Sequence, residues 1–171
     1  IGPTARREHA AAFDTAQGRL LVSAGRGDAG VFLSDLHAFA GTAWTELGTA
    51  PQPGVRAGAG LAYDAGRDRL VLFGGCGLFS MGGCSVRRND TWEFDGAGWE
   101  EVDTADRPSG SASFGYSDLP MTYATAWSRV VLFETSPGSL WEYDGVNWTL
   151  RRAPGAPRSK NSTANAYHES H

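Results

Sequence analysis

Two cysteines eight residues apart are the first groups in this chain whose type and spacing could do chemistry. Cys76 and Cys84 frame the segment Cys76-Gly77-Leu78-Phe79-Ser80-Met81-Gly82-Gly83-Cys84. Joined as a disulfide, they would pin a long exposed loop. Closing so short a loop stabilises on the order of 2–3 kcal/mol through the unfolded chain and implies an oxidising compartment. Left apart, they would be two free thiols of a cytosolic protein. Zinc is disfavoured, because neither a C-x-x-C spacing nor a nearby His pair is present. The same segment holds Leu78, Phe79 and Met81, which either form a contact surface for a partner or fold back over the neighbouring strands. Arg87 and Arg88 follow. As a pair they could grip an anionic group bidentately, or they could simply end a solvated loop.

Nothing in the chain assembles into catalytic machinery. His9, His37, His168 and His171 accompany no nucleophile in a recognisable pattern. There is no G-x-S-x-G, no H-E-x-x-H and no phosphate loop. Gly25-Arg26-Gly27-Asp28-Ala29-Gly30 is glycine-rich, but no helix follows it, so it reads as a connection between strands. Its Arg26-Gly27-Asp28 spells an adhesion tripeptide, which at three residues is expected by chance. The sequence therefore predicts no catalytic residue, no metal ligand and no cofactor.

Composition narrows the classes further. The 171 residues carry a net charge of -4, and Lys160 is the sole lysine. A nucleic-acid binder needs a basic stripe to neutralise phosphates, so that class is disfavoured. No run of 18 or more apolar residues offers a membrane span. No signal-peptide pattern opens the chain, although Ile1 is not an initiator Met, so the original N-terminus is expected to have been removed or to lie outside this stretch.

The elements that must position these groups repeat along the chain. Phe13, Tyr63 and Tyr123 each stand seven residues before an apolar run: Leu20-Leu21-Val22, Leu70-Val71-Leu72 and Val130-Val131-Leu132. The first two runs stop on Ala24-Gly25 and Gly74-Gly75, the third on Glu134-Thr135. Further on come His37-Ala38-Phe39, Trp92-Glu93-Phe94 and Trp141-Glu142-Tyr143, then a turn glycine and, three residues after it, Trp44, Trp99 or Trp148. The tryptophans lie 55 and 49 residues apart, a period that belongs to a four-stranded repeat. Apolar alternation bounded by Gly, Asp and Pro marks the strands, and Asp64-Ala65-Gly66 and Asp95-Gly96 supply turn chemistry. No window has a convincing helical period.

Pro53…Arg56…Tyr63-Asp64…Arg69-Leu70-Val71-Leu72-Phe73-Gly74-Gly75…Asp90-Thr91-Trp92-Glu93-Phe94-Asp95-Gly96…Trp99 resembles a kelch repeat of the type common in bacterial secreted and surface proteins. The resemblance covers nearly the whole chain. It implies an all-β fold, a partial β-propeller of four-stranded antiparallel blades with the first strand of each unit innermost. Blade 1 is expected over 3–50, blade 2 over 53–105 and blade 3 over 108–153. Blade 3 departs from the pattern at Ser109–Pro120 and Glu134-Thr135, and reads as a degenerate blade. Residues 157–171 resemble the inner strand of a fourth, unfinished blade.

Such an arc leaves strand edges open. The chain is either a fragment of a longer propeller, one half of a two-copy ring, or a partner to another chain that supplies the missing blades. Family geometry would also place Arg6, Arg7, Arg56, Arg158 and Lys160 at one mouth of the channel. There they would make a basic rim for an anionic ligand or acidic loop, or bond structurally to neighbouring blades. The resemblance implies a non-catalytic binding or scaffolding module, extracytoplasmic or secreted, that contacts a protein or glycan through rim loops. Some kelch-like propellers are copper oxidases. The alternatives are therefore a metal-dependent oxidase completed by blades outside this chain, and a structural subunit of a larger assembly.

Overall fold

The computed structural model describes residues 2–48, 50–80, 83–110, 119–134 and 138–151. Met81, Arg158, Lys160 and the expected inner strand over 157–171 lie outside the described residues. Among the described residues, twelve strands form three four-stranded antiparallel sheets, each a meander in chain order. The first comprises β1 (Ala10–Asp14), β2 (Arg19–Ser23), β3 (Leu36–Phe39) and β4 (Trp44–Leu47). The second comprises β5 (Gly60–Asp64), β6 (Arg69–Ser80), β7 (Gly83–Phe94) and β8 (Trp99–Val102). The third comprises β9 (Met121–Ala124), β10 (Arg129–Glu134), β11 (Ser139–Tyr143) and β12 (Trp148–Arg151). These are blade-like units of a propeller, and they do not close on themselves.

The second strand of the middle sheet is a continuous apolar run because that sheet is covered on both sides. Successive side chains point to opposite faces. In β6, Leu70 and Leu72 join the cluster shared with Leu21, Leu36 and Ala38 of blade 1. Val71 and Phe73, on the other face, join Val130, Leu132, Tyr143 and Trp148 of blade 3. Each such buried side chain is worth about 1.5–3 kcal/mol relative to exposure. Blade 2 is thus the middle of the stack, with a core on either side.

The hairpins that close the inner strands of blades 1 and 2 are anchored by an aspartate. Asp14 accepts the Gln17 amide at 3.0 Å, and Asp64 accepts those of Gly66 and Arg67 at 3.0 and 3.2 Å. The next strand is entered through a left-handed residue: Gly18, Asp68 and Ser128 at φ 62°, 55° and 51°. Asp95 and Asp144 close the turns before Trp99 and Trp148 in the same manner, each accepting two backbone amides.

Two expectations are corrected. β6 does not stop at Gly74-Gly75 but runs on to Ser80, and the cysteine segment is a β-hairpin extension, not an irregular loop. The glycines bend the strand. Both have positive φ, and the register with β7 shifts between Phe73 and Gly75. A Cβ at Gly75 would lie 2.9 Å from the Ala57 carbonyl oxygen, because Ala57 and Cys76 exchange two backbone hydrogen bonds of 2.8 Å there. Blade 1 repeats the construction with Gly25, whose Cβ would lie 2.9 Å from the Arg7 carbonyl, and with the Arg7–Arg26 bridge.

Candidate functional site

The rim carrying the predicted residues is built from the segments before β1 and β5, the β2–β3 connection and the β6–β7 hairpin. Its anchors are two arginine clamps. Arg56 is fully buried. Its Nη1 and Nη2 donate to the two Asp90 carboxylate oxygens at 2.8 Å, Nη1 also reaches the Gly74 carbonyl at 2.9 Å, and Nε reaches Gly54. Arg6 grips Asp35 at 2.6 and 2.8 Å and the Ala24 carbonyl at 3.0 Å. Each acid also meets the ring two residues on: the Trp92 indole donates to Asp90 at 2.7 Å, and the His37 ring lies 2.9 Å from Asp35. Burial, the largest influence on both acids, pushes them up. The paired arginine and ring outweigh it and hold both carboxyls below the ordinary Asp value.

Arg6 and Arg56 are therefore placed inside their blades, with guanidinium donors committed to carboxylate and carbonyl oxygens. Asp35 and Asp90 were not singled out in the sequence. The signal available was the repeated Asp-x-ring spacing, Asp35-Leu36-His37 and Asp90-Thr91-Trp92.

Blade 3 solves the same problem differently. Ser139 stands where Asp90 does, and the acid has moved to Glu134, the position of Gly74. Glu134 is buried. It accepts the Trp141 indole at 3.0 Å and both the backbone amide and the hydroxyl of Ser109, at 2.8 and 2.7 Å. The sequence departure at Glu134 is thus a relocated carboxylate that still holds its tryptophan.

Cys76 and Cys84 are joined as a disulfide across the β6–β7 hairpin. Phe79 leans away from its own blade. Its ring lies 5.5 Å from Phe32 of the β2–β3 connection, and the Arg26 guanidinium stands 4.8 Å above it. Arg26 is itself held by Glu8 at 3.0 Å. Phe79 thus braces the hairpin on blade 1. Leu78 is 52% exposed and pairs across the hairpin with the exposed Val86. Arg87, also exposed, faces Cys76 across the ladder. Arg88, opposite Gly75, lays its guanidinium along Gly54 and Gly77, where any Cβ would lie within about 3 Å of it. The structure brings Leu78, Phe79, Arg87 and Arg88 together on one hairpin and keeps Arg6 and Arg56 below it.

A concavity of about 500 Å³ lies where the inner strands converge. It is lined by Ala12, Phe13, Leu61, Tyr63, Met121 and Tyr123 with small neighbours, and the described residues that line it include no charged side chain. Among the described residues no group of His, Cys, Asp or Glu is placed to hold a metal ion. No helix among them is long and apolar enough to cross a membrane.

No protein-family model matches the chain, and no curated protein matches it.

Proposed function

We propose that this chain is a non-catalytic binding or scaffolding module, a kelch-type propeller segment that contacts a protein or glycan partner through the rim at the Cys76–Cys84 hairpin. The observation that carries the reading is the hairpin itself. It is clipped by a disulfide, braced on the neighbouring blade through Phe79, and turns Leu78 and Val86 outward side by side. A preorganised tip loses little entropy on binding, and exposed apolar side chains on a fixed support are the usual means by which rim segments make contact. The disulfide supports an extracytoplasmic or secreted setting.

The experiment is a binding screen of the purified chain against panels of glycans and secreted proteins, run beside a Leu78→Asp/Val86→Asp variant of unchanged melting temperature. Binding by the parent that the variant loses supports the reading. Stoichiometric copper with oxidase turnover in the purified protein would replace it with the enzymatic alternative.

A further inference from the structure

The three-blade stack has two end faces, one on blade 1 and one on blade 3, and two internal junctions against which to compare them. Where blades meet, the later blade presents its inner-strand aromatic, its β3-type aromatic and its tryptophan. The earlier blade presents alternate residues of its second strand and the side chain of its inner hairpin turn. At the blade 2–blade 3 junction, Trp148 packs 5.1 Å from Phe73 and donates to the Thr91 hydroxyl at 2.9 Å, and Tyr143 donates to Glu93 at 2.9 Å. Arg67 of the blade 2 turn pairs with Glu93 at 2.7 Å and stands 5.4 Å from the Tyr143 ring centre. In blade 1 the presenting set is Phe13, Phe39 and Trp44, and among the described residues no other blade packs against it. Phe13 is 56% exposed, and the Phe39–Trp44 pair is half-buried, where Phe94–Trp99 and Tyr143–Trp148 are buried. In blade 3 the receiving set is Trp127, Val131 and Phe133. Trp127 is 56% exposed, and Val131 and Phe133 are half-buried, where Val71 and Phe73 are sealed.

The chemistry of the two open faces matches. Phe39 has no hydroxyl to offer, unlike Tyr143. On blade 3, the residue at the Glu93 position is Glu142, and it is paired within its own blade to Arg151 at 3.1 Å, so it needs no hydroxyl from a neighbour. The turn residue that is Arg67 in blade 2 is Trp127 in blade 3, an apolar surface for an apolar ring. We infer that the occupant of both faces is a second copy of this chain. Blade 1 of each copy docks on blade 3 of the other, which closes a six-bladed ring with twofold symmetry. The inference is independent of the rim reading above.

Sedimentation velocity tests it, with Phe13→Asp and Trp127→Asp, both at exposed positions and both checked by circular dichroism. The parent chain is expected to be a dimer at tens of micromolar. Each variant is expected to dissociate at least about 100-fold more readily, because a charge enters both junctions. An equimolar mixture of the two variants should recover dimer, since one junction of the mixed pair carries neither substitution. That recovery distinguishes head-to-tail docking from any other dimer. A monomeric parent at about 100 μM overturns the inference and leaves the faces to further blades of a longer polypeptide. A dimer indifferent to both substitutions, or an open polymer, overturns it as well.

Discussion

Arg56 and Asp90, 34 residues apart in sequence, meet through two parallel hydrogen bonds of 2.8 Å, and the arginine is wholly enclosed. The pair ties the segment entering β5 to β7 of the same blade. The Arg6–Asp35 pair does the same in blade 1.

Replacing Arg56 with Met should destabilise the chain by about 3 kcal/mol, because it strands the Asp90 carboxylate and frees the Gly74 carbonyl. Arg56→Lys should recover only part, since an ammonium cannot span both carboxylate oxygens. Urea unfolding curves measure both. A Lys variant equal to the parent would show that the fork geometry is immaterial.

Acid should weaken the fold through the same carboxylates. Asp35 and Asp90 are held below the ordinary value in the folded chain, so the unfolded chain binds more protons in acid. Their stabilisation is present in full above the unfolded value near 3.8 and is lost as pH falls from there through the folded values. The urea midpoint should therefore fall as the pH drops below about 4. Asp90→Asn should start lower at neutral pH and fall less steeply; an unchanged slope would remove Asp90 from the account.

Gly75 and Gly96 have nearly the same φ, +94° and +96°, but different surroundings. A Cβ at Gly96 meets nothing within 4 Å, while at Gly75 it meets the Ala57 carbonyl at 2.9 Å. Both Ala variants incur the left-handed strain, about 1 kcal/mol. Gly75→Ala should lose about 1–2 kcal/mol more, because overpacking against backbone has no easy relief. Thermal melts of the two variants side by side give the difference, and equal losses would mean that the bend in β6 yields.

Opening the Cys76–Cys84 link, by reduction or by the double Ser variant, should reduce stability by about 2–3 kcal/mol. Hydrogen exchange should rise over residues 76–88 and at Phe32, because Phe79 loses its fixed approach to blade 1. Exchange unchanged at Phe32 would show that the hairpin stays braced without the disulfide.

The strands and their period were legible in the sequence because each blade repeats an apolar run, an alternating aromatic strand and a tryptophan at fixed offsets. The path of β6 past Gly74 was not. Glycines with positive φ serve a turn and a bulge equally, and only the partner strand decides between them. The acid partners Asp35 and Asp90 were missed because an ion pair between segments some 30 residues apart leaves no local period. Glu134 read as decay because two changes, at Gly74 and Asp90 equivalents, make sense only together. Phe79 lay within a hairpin whose target, Phe32, belongs to another repeat.

The blades share cores but hardly any ladder. Among the described residues, strands pair only within their own sheet, and a few backbone bonds, such as Gly25 to Arg56 and Leu119 to Gly58, cross between blades. A duplicated or deleted blade would therefore leave the strand ladders of the others untouched. What it would disturb is adjacency, since a tyrosine hydroxyl placed beside Ala38, or withheld from Glu93, has no counterpart. Growth by duplication is cheap in such a chain, whereas the order of the blades is held by a handful of side chains.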